Sequence, residues 1–147
     1  MKALLLYNCH ARRGDILKYE AKIVEIFREQ GIEIRFKKIT FDVNPFEGDE
    51  DVELVVVSGG DGTVNYVVNM MQFSGINPTL GILPSGTAND FAGALGMPRK
   101  ILRAARQIAE GEEHEIDCGE VDGTRFVNVL SFGVLTTTSQ QTTDREK

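Results

Sequence analysis

The sequence predicts an α/β fold: a three-layer sandwich with a parallel sheet, helices on both of its faces, and a closing β-hairpin. Three observations carry this. Apolar strand-like runs alternate with stretches of helical periodicity. Two glycine-rich segments, 57–65 and 81–91, each follow an apolar strand and open a helix. Asp122-Gly123 stands between two extended stretches as a hairpin turn signal. The 147 residues fit one domain, and 41% hydrophobic with 26% charged residues is an ordinary globular composition, without repeats or low-complexity tracts.

The elements follow in order. Ala3 to Tyr7 is a first buried strand. Ile16 to Gln30 carries Ile16, Tyr19, Ile23, Ile26 and Phe27 on one face, with Gly31 placed as a helix C-cap. Ile32, Ile34 and Phe36 alternate with Glu33, Arg35 and Lys37, the period of a strand with one solvated face, and so predict a position near the sheet edge. Asp42 to Asp51 is acidic and holds Pro45 and Gly48; it reads as a loop with at most one helical turn, where a parallel connection would normally place a helix. Val52 to Val57 has too few polar breaks for a half-exposed strand and suits a parallel strand buried on both faces.

After this strand, Val64, Val67, Val68 and Met71 recur at helical spacing, and Thr79 to Leu83 is the next short strand. Pro98 suits the first turn of a helix whose apolar positions Ile101, Leu102, Ala105 and Ile108 end at Gly111. His114 to Val121 and Arg125 to Leu130 form the hairpin strands. Thr136 to Lys147 is wholly polar and offers no apolar face, which predicts poor order.

Composition excludes several classes. A net charge of −6 argues against nucleic acid as partner, since such binding neutralises phosphates with Lys and Arg, and it removes the simplest polybasic route to an anionic membrane. No run reaches the roughly 20 apolar residues of a membrane helix, and the start lacks a signal peptide's apolar core, so a cytoplasmic location is expected. Cys9 and Cys118 lack disulfide or metal-ligand spacing and are expected to be reduced, buried thiols. His10 and His114 stand apart from any metal-ligating cluster.

The chemistry lies in the glycine segments. Gly59, Gly60 and Gly62 have no Cβ, so this loop can present backbone N–H groups to an anion at a helix N-terminus. Such turns also arise from steric need alone. A second one, Gly81 to Phe91, would lie at the same strand-end edge, where open α/β sheets bind ligands. Asp61 is the one carboxylate in the cradle, suited to acting through Mg²⁺ or water or to accepting a proton; helix N-capping is the lesser alternative for Thr63, and a weaker one still for Asp61. Thr87 and Asp90 have the spacing of a near capping box.

Gly59-Gly60-Asp61-Gly62-Thr63, followed some twenty positions later by Leu83-Pro84-Ser85-Gly86-Thr87-Ala88-Asn89-Asp90-Phe91, resembles the diacylglycerol kinase catalytic domain family. Diacylglycerol, sphingosine and ceramide kinases and soluble bacterial lipid kinases make up that group. The first motif is shared with NAD kinases and, loosely, with phosphofructokinases; the pair is far more specific. The resemblance runs from Met1 through Phe126-Val127-Asn128-Val129 and Gly133 and implies the sandwich fold of those kinases' N-terminal domains.

It further implies transfer of the γ-phosphoryl group of ATP, with Mg²⁺, to a lipid hydroxyl. Nucleotide contacts fall on Asn8, Thr40, Gly59, Gly60, Asp61, Gly62, Thr63, Val64, Asn65, Gly86 and Thr87, with Asp61 the catalytic candidate; no metal ligands are assigned. Family members usually carry Asn-Pro-x-Ser-Gly after the first strand, whereas Asn8 to Gly14 keeps the asparagine but loses the proline and the serine. Arg12 and Arg13 are either substitute phosphate ligands or ordinary solvated charge.

Residues 1–135 are thus expected to form the nucleotide-binding domain, and 136–147 a polar tail or the start of a second, β-rich domain. In the resembling kinases that second domain helps to form the lipid site, carries the usual catalytic base, and would provide any transient membrane contact. The expected partners are a nucleotide and a lipid acceptor. An NAD kinase-like small-molecule kinase and a non-catalytic nucleotide-binding module stand as alternatives. The oligomeric state is left open.

Overall fold

The computed structural model describes residues 1–9 and 15–127. Four parallel strands form its centre: β1 (Lys2–Tyr7), β2 (Glu33–Lys38), β3 (Leu54–Gly59) and β4 (Thr79–Pro84), in the order β2-β1-β3-β4. Register pairs Tyr7 with both Lys38 and Ser58, and Gly59 with Pro84. The residues that follow the strands, Asn8, Thr40, Gly60 and Ser85, therefore share the carboxyl edge. This juxtaposition positions the site.

Alternation along β1 divides the core in two. Ala3 and Leu5 pack with Ile34, Leu54, Val56 and Leu83 on one face; Leu4 and Leu6 pack with Val55, Val57 and Ile82 on the other. The first face is covered by α1 (Glu20–Glu29), which buries Ile23, Ile26 and Phe27, and by α4 (Ile101–Glu110), which buries Ala104 and Ala105. Full burial of each large side chain of this kind contributes about 1.5–3 kcal/mol. The second face receives α2 (Asp61–Phe73), through Val64, Val67, Val68 and Met71, and the short α3 (Asp90–Ala94), through Phe91 and Ala92. The three layers are those expected.

Details differ where long-range contacts decide. Ile16 to Tyr19 is a 3₁₀ turn that precedes α1, with the Asp15 carboxylate accepting from Leu17 N–H at 3.0 Å. Gly31, at φ +72°, ends the helix as expected. Strand β2 is an edge strand, and Arg35 and Lys37, alternating with Ile34 and Phe36, point to the second face at the margin of the sheet. Here the 40–53 loop substitutes for a helix: Phe46 is fully buried in the core, and the buried Asp49 carboxylate pairs with both Arg35 and Lys37. Asn44 holds this loop, accepting from Phe46 N–H and donating to Ser74 Oγ, both at 3.0 Å.

Helix α4 begins at Ile101 with Lys100 as its N-cap, so Pro98 lies before the helix and not in its first turn. The first hairpin strand is shorter than expected: β5 (Gly119–Val121) pairs with β6 (Thr124–Phe126) in a separate antiparallel sheet, and 114–118 carry no strand. The hairpin's turn residues Asp122 and Gly123 have φ of +48° and +77°, the left-handed pair that such two-residue turns require. Cys9 and Cys118 are free but exposed, a correction to the buried thiols expected, because both lie in loops at the ends of strands and not within them. His10, Arg12, Arg13, Asn128 to Leu130, Gly133 and 136–147 lie outside the described residues.

Candidate functional site

Both glycine segments sit at the carboxyl edge and touch. A Cβ on Gly60 would lie 3.1 Å from the Gly86 Cα, and one on Gly86 would lie 2.3 Å from the Gly60 Cα. Gly60 itself has ordinary extended backbone, φ −94° and ψ −172°, so its glycine serves the approach of two main chains and no unusual torsion. Behind the contact, Ser58 and Ser85 share a buried hydroxyl hydrogen bond of 3.2 Å, and Ser85 N–H donates to Gly59 O at 3.3 Å. The strands β3 and β4 are thereby locked together beyond their last paired residues.

Asp61 strengthens the joint. Its two carboxylate oxygens accept from Asp90 N–H at 3.0 Å and Phe91 N–H at 2.9 Å, so the first residue of α2 caps the first turn of α3. The local cap expected at Thr87 does not form: α3 is preceded by Asn89, at φ +57°, which makes no side-chain cap bond. Asn89 instead clasps its own loop, its Oδ1 accepting from Gly86 N–H and its Nδ2 donating to Gly86 O, both at 2.8 Å. Thr87 is exposed beside it. A long-range carboxylate thus replaces the capping box.

The N-terminus of α2 has no side-chain cap, and Val64 N–H makes the helix's first backbone bond, to Gly60 O at 3.1 Å. The N–H groups ahead of it have no partner within the helix, and with the helix dipole they favour an anion. Gly62 is exposed, and a Cβ there would meet nothing within 4 Å among the described residues. Gly59 is different, since a Cβ there would fall 2.6 Å from Thr63 Cβ; its hydrogen lets Thr63 fold back over the strand end. The cradle is therefore open at Gly62 and closed behind Gly59.

The remaining candidates divide. Asn8, half-buried, and Thr40, exposed, follow β1 and β2 on the same edge as the glycine loops. The order β2-β1-β3-β4 reverses between β1 and β3, which places Asn8 and Gly60 on either side of the crevice where such sheets bind ligands. Val64 is buried in the core and acts there as the anchor of the helix's first turn. Asn65 Oδ1 accepts from Val127 N–H at 3.0 Å, so this side chain holds the hairpin.

Asn69 does the same one turn later and was not singled out by sequence reasoning. It donates to Arg125 O at 2.8 Å and accepts from Arg125 N–H at 2.9 Å, imitating a strand partner with a side-chain amide. Two asparagines four residues apart on an apolar helix are the signal that would have found it. Asn69→Ala should cost about 2 kcal/mol, at roughly 1 kcal/mol for each of two or more net hydrogen bonds. Faster amide exchange at Arg125 would register the release, and unchanged exchange there would refute the clamp. On the same helix the Tyr66 hydroxyl is shut off from solvent without a partner among the described residues, and burial, with the Asp42 charge second, pushes its pKa up.

A family model described as the diacylglycerol kinase catalytic domain matches residues 2–121. A diacylglycerol kinase of Bacillus subtilis (strain 168) is 36% identical over 141 residues, covering 92% of this chain and 46% of that protein. One from Staphylococcus carnosus (strain TM300) is 40% identical over 98 residues, 67% of this chain and 32% of that protein. The crystal structure of a diacylglycerol kinase from Bacillus anthracis str. Sterne matches with TM-score 0.73 and 35% identity, covering 86% of this chain and 46% of that chain. The chain spans less than half the length of these relatives.

Proposed function

Since the chain belongs to the diacylglycerol kinase catalytic domain family, we propose that it is the ATP-binding part of a lipid kinase, one that transfers the γ-phosphoryl group to a hydroxyl of diacylglycerol or a related lipid. One observation carries the proposal: an uncapped helix N-terminus whose exposed Gly62 opens onto free space, beside a second glycine loop at the carboxyl edge. Among the described residues nothing fills the volume that a Cβ on Gly62 would occupy, and glycine in a helix costs about 0.5–1 kcal/mol relative to alanine. Close approach of a phosphate explains its retention. A match that includes both glycine segments supports a lipid kinase over an NAD kinase.

Phosphoryl transfer depends on positioning and charge neutralisation more than on covalent chemistry. The amides at the start of α2 would hold phosphate oxygens and the Thr63 hydroxyl would donate to another. Gly86 and Thr87 would form the facing wall, and Asn8, Thr40 and Asn65 would border the nucleotide. No group of three or more His, Cys, Asp or Glu side chains suited to a metal occurs among the described residues. Mg²⁺ held chiefly by ATP phosphates and water needs few protein ligands, and it would supply charge neutralisation. Asp61 is the carboxylate at hand for it. Two N–H bonds leave lone pairs on the Asp61 oxygens, available to the metal, to water or to the acceptor hydroxyl.

Mg·ATP should raise the melting temperature of the chain, since ligand at about a hundred times its dissociation constant adds about 2.7 kcal/mol. Gly62→Ala should leave the unliganded protein as stable or about 0.5 kcal/mol more so, yet weaken ATP at least tenfold. An ATP shift undiminished in Gly62→Ala would overturn the cradle. Phosphate transfer assayed with diacylglycerol, sphingosine-like lipids and NAD then identifies the acceptor.

A further inference from the structure

The 40–53 loop opens with a turn that stands at the carboxyl edge of the sheet. Ile39 N–H donates to Tyr7 O at 2.8 Å and roots this turn on the end of β1, while Val43 N–H donates to Thr40 O at 3.0 Å and closes it. Phe41, in its second position, is 56% exposed. The ring is backed by Tyr66, which it meets edge to face with centroids 4.7 Å apart and planes at 67°. Tyr66 lies four residues after Gly62 on α2, so the two share one helix face and stand about 6 Å apart along the axis. An exposed aromatic ring thus sits one helical turn from the open end of the cradle.

We infer that Phe41, supported by Tyr66, is the stacking platform for the base of the nucleotide. The inference rests on the nucleotide reading of the cradle and names the side chain that meets the part of the ligand its phosphates leave unheld. An exposed ring at a loop tip is ordinary in itself. This one is fixed from both sides: the turn is tied to β1, and Asn44 Nδ2 donates to Ser74 Oγ at 3.0 Å, which ties the loop to the end of α2. The Tyr66 hydroxyl is shut off from solvent, so that ring turns its polar end inward and gives Phe41 an apolar support. Among the described residues two other aromatic side chains are exposed, and neither is near the cradle. Phe73 lies about 16 Å along α2 from Gly62, and Tyr19 belongs to the 3₁₀ turn that packs on the first face of the sheet. Phe41 alone of the three is placed to meet a base whose phosphates rest on the start of α2.

The test is calorimetric titration with Mg·ATP and with Mg·tripolyphosphate, which keeps the phosphates and lacks the base. Phe41→Ala should weaken ATP about tenfold, within the range that losing one base–aromatic stack costs, and should leave tripolyphosphate bound as by the native chain. Phe73→Ala removes an exposed ring far from the cradle and should leave both ligands near native. The chain has no tryptophan, so Phe41→Trp places a single fluorescent reporter on the platform. Mg·ATP should quench it, and Mg·tripolyphosphate should not.

ATP bound as tightly by Phe41→Ala as by the native chain would overturn the inference. So would an equal loss of tripolyphosphate, since the ring would then act only by steadying α2, and so would an equal loss of ATP in Phe73→Ala. A Phe41→Trp signal that ATP leaves unchanged, or that both ligands quench alike, counts against it in the same way. A native chain that binds ATP and tripolyphosphate, with ATP indifferent to Phe41, refutes this inference alone. One that binds neither ligand refutes the cradle, and the platform with it.

Discussion

Gly86→Ala is expected to destabilise the protein by about 3 kcal/mol, the upper end of what inserting a methyl group into a packed site costs. The new Cβ would stand 2.3 Å from Gly60 Cα, 2.8 Å from Gly60 N and 2.9 Å from Asn89 Oδ1. Two of these are main-chain atoms, which no rotamer change can move. The Gly86 N–H and C=O are also both held by Asn89, so the loop has no slack on its other side. In a chain of this size the melting temperature should fall by about 10 °C. Gly60→Ala, with its nearest contact at 3.1 Å, should cost nearer 1 kcal/mol. Urea unfolding of both variants measures the difference. Equal stabilities would mean that the two loops are not in contact in solution.

Asp61→Ala should cost about 2 kcal/mol and detach α3 from α2. Hydrogen bonds to a charged acceptor contribute about 1.5–3 kcal/mol each, reduced here by partial exposure to solvent. The variant leaves Asp90 and Phe91 N–H without their acceptor, so amide exchange at these two positions should accelerate while β1 and β3 stay protected. ATP affinity should fall at least tenfold, because the wall that carries Gly86 and Thr87 loses its tie to the cradle. Asp61→Asn separates position from chemistry: its amide oxygen can keep one of the two bonds. If it restores most of the affinity, the tie accounts for binding; protected Asp90 and Phe91 amides in Asp61→Ala would refute the tie itself.

Much of the fold was legible because burial writes itself into the sequence as period. The unbroken apolar run of Leu54 to Val57 required a strand covered on both faces, and the alternation at Ile34 to Lys37 required an edge. Val64, Val67, Val68 and Met71 gave the inward face of α2. The 40–53 loop was less legible, since Phe46 and Asp49 belong to no period, and their burial depends on Arg35 and Lys37 in a strand already passed. Cys9 and Cys118 were misjudged for a related reason: cysteine is commonly buried, but loop exposure is set by neighbours distant in sequence.

At the site, glycine positions were visible because main-chain approach demands glycine wherever it occurs. Roles that depend on partners were not. Thr87 and Asp90 satisfied a local capping rule, but Asp61, twenty-nine residues before Asp90, satisfies the same N–H groups from another element. Short-range rules have no means of weighing that competitor. Asn65 and Asn69 are a similar case, since an asparagine on a helix declares a polar surface without naming what will cover it.

Helix α2 begins at the cradle and, one turn on, grips the hairpin through Asn65. At 1.5 Å of rise per residue, the four residues from Asp61 to Asn65 measure about 6 Å. Over that distance a helix is stiff, so it works as a short lever with the anion end and the hairpin end on one arm. A tilt that widened the cradle would drag Val127 and Arg125 with it, and a load applied to the hairpin would be felt at Gly62. The strand pair after α4 thus serves as a handle on the cradle end of the sheet.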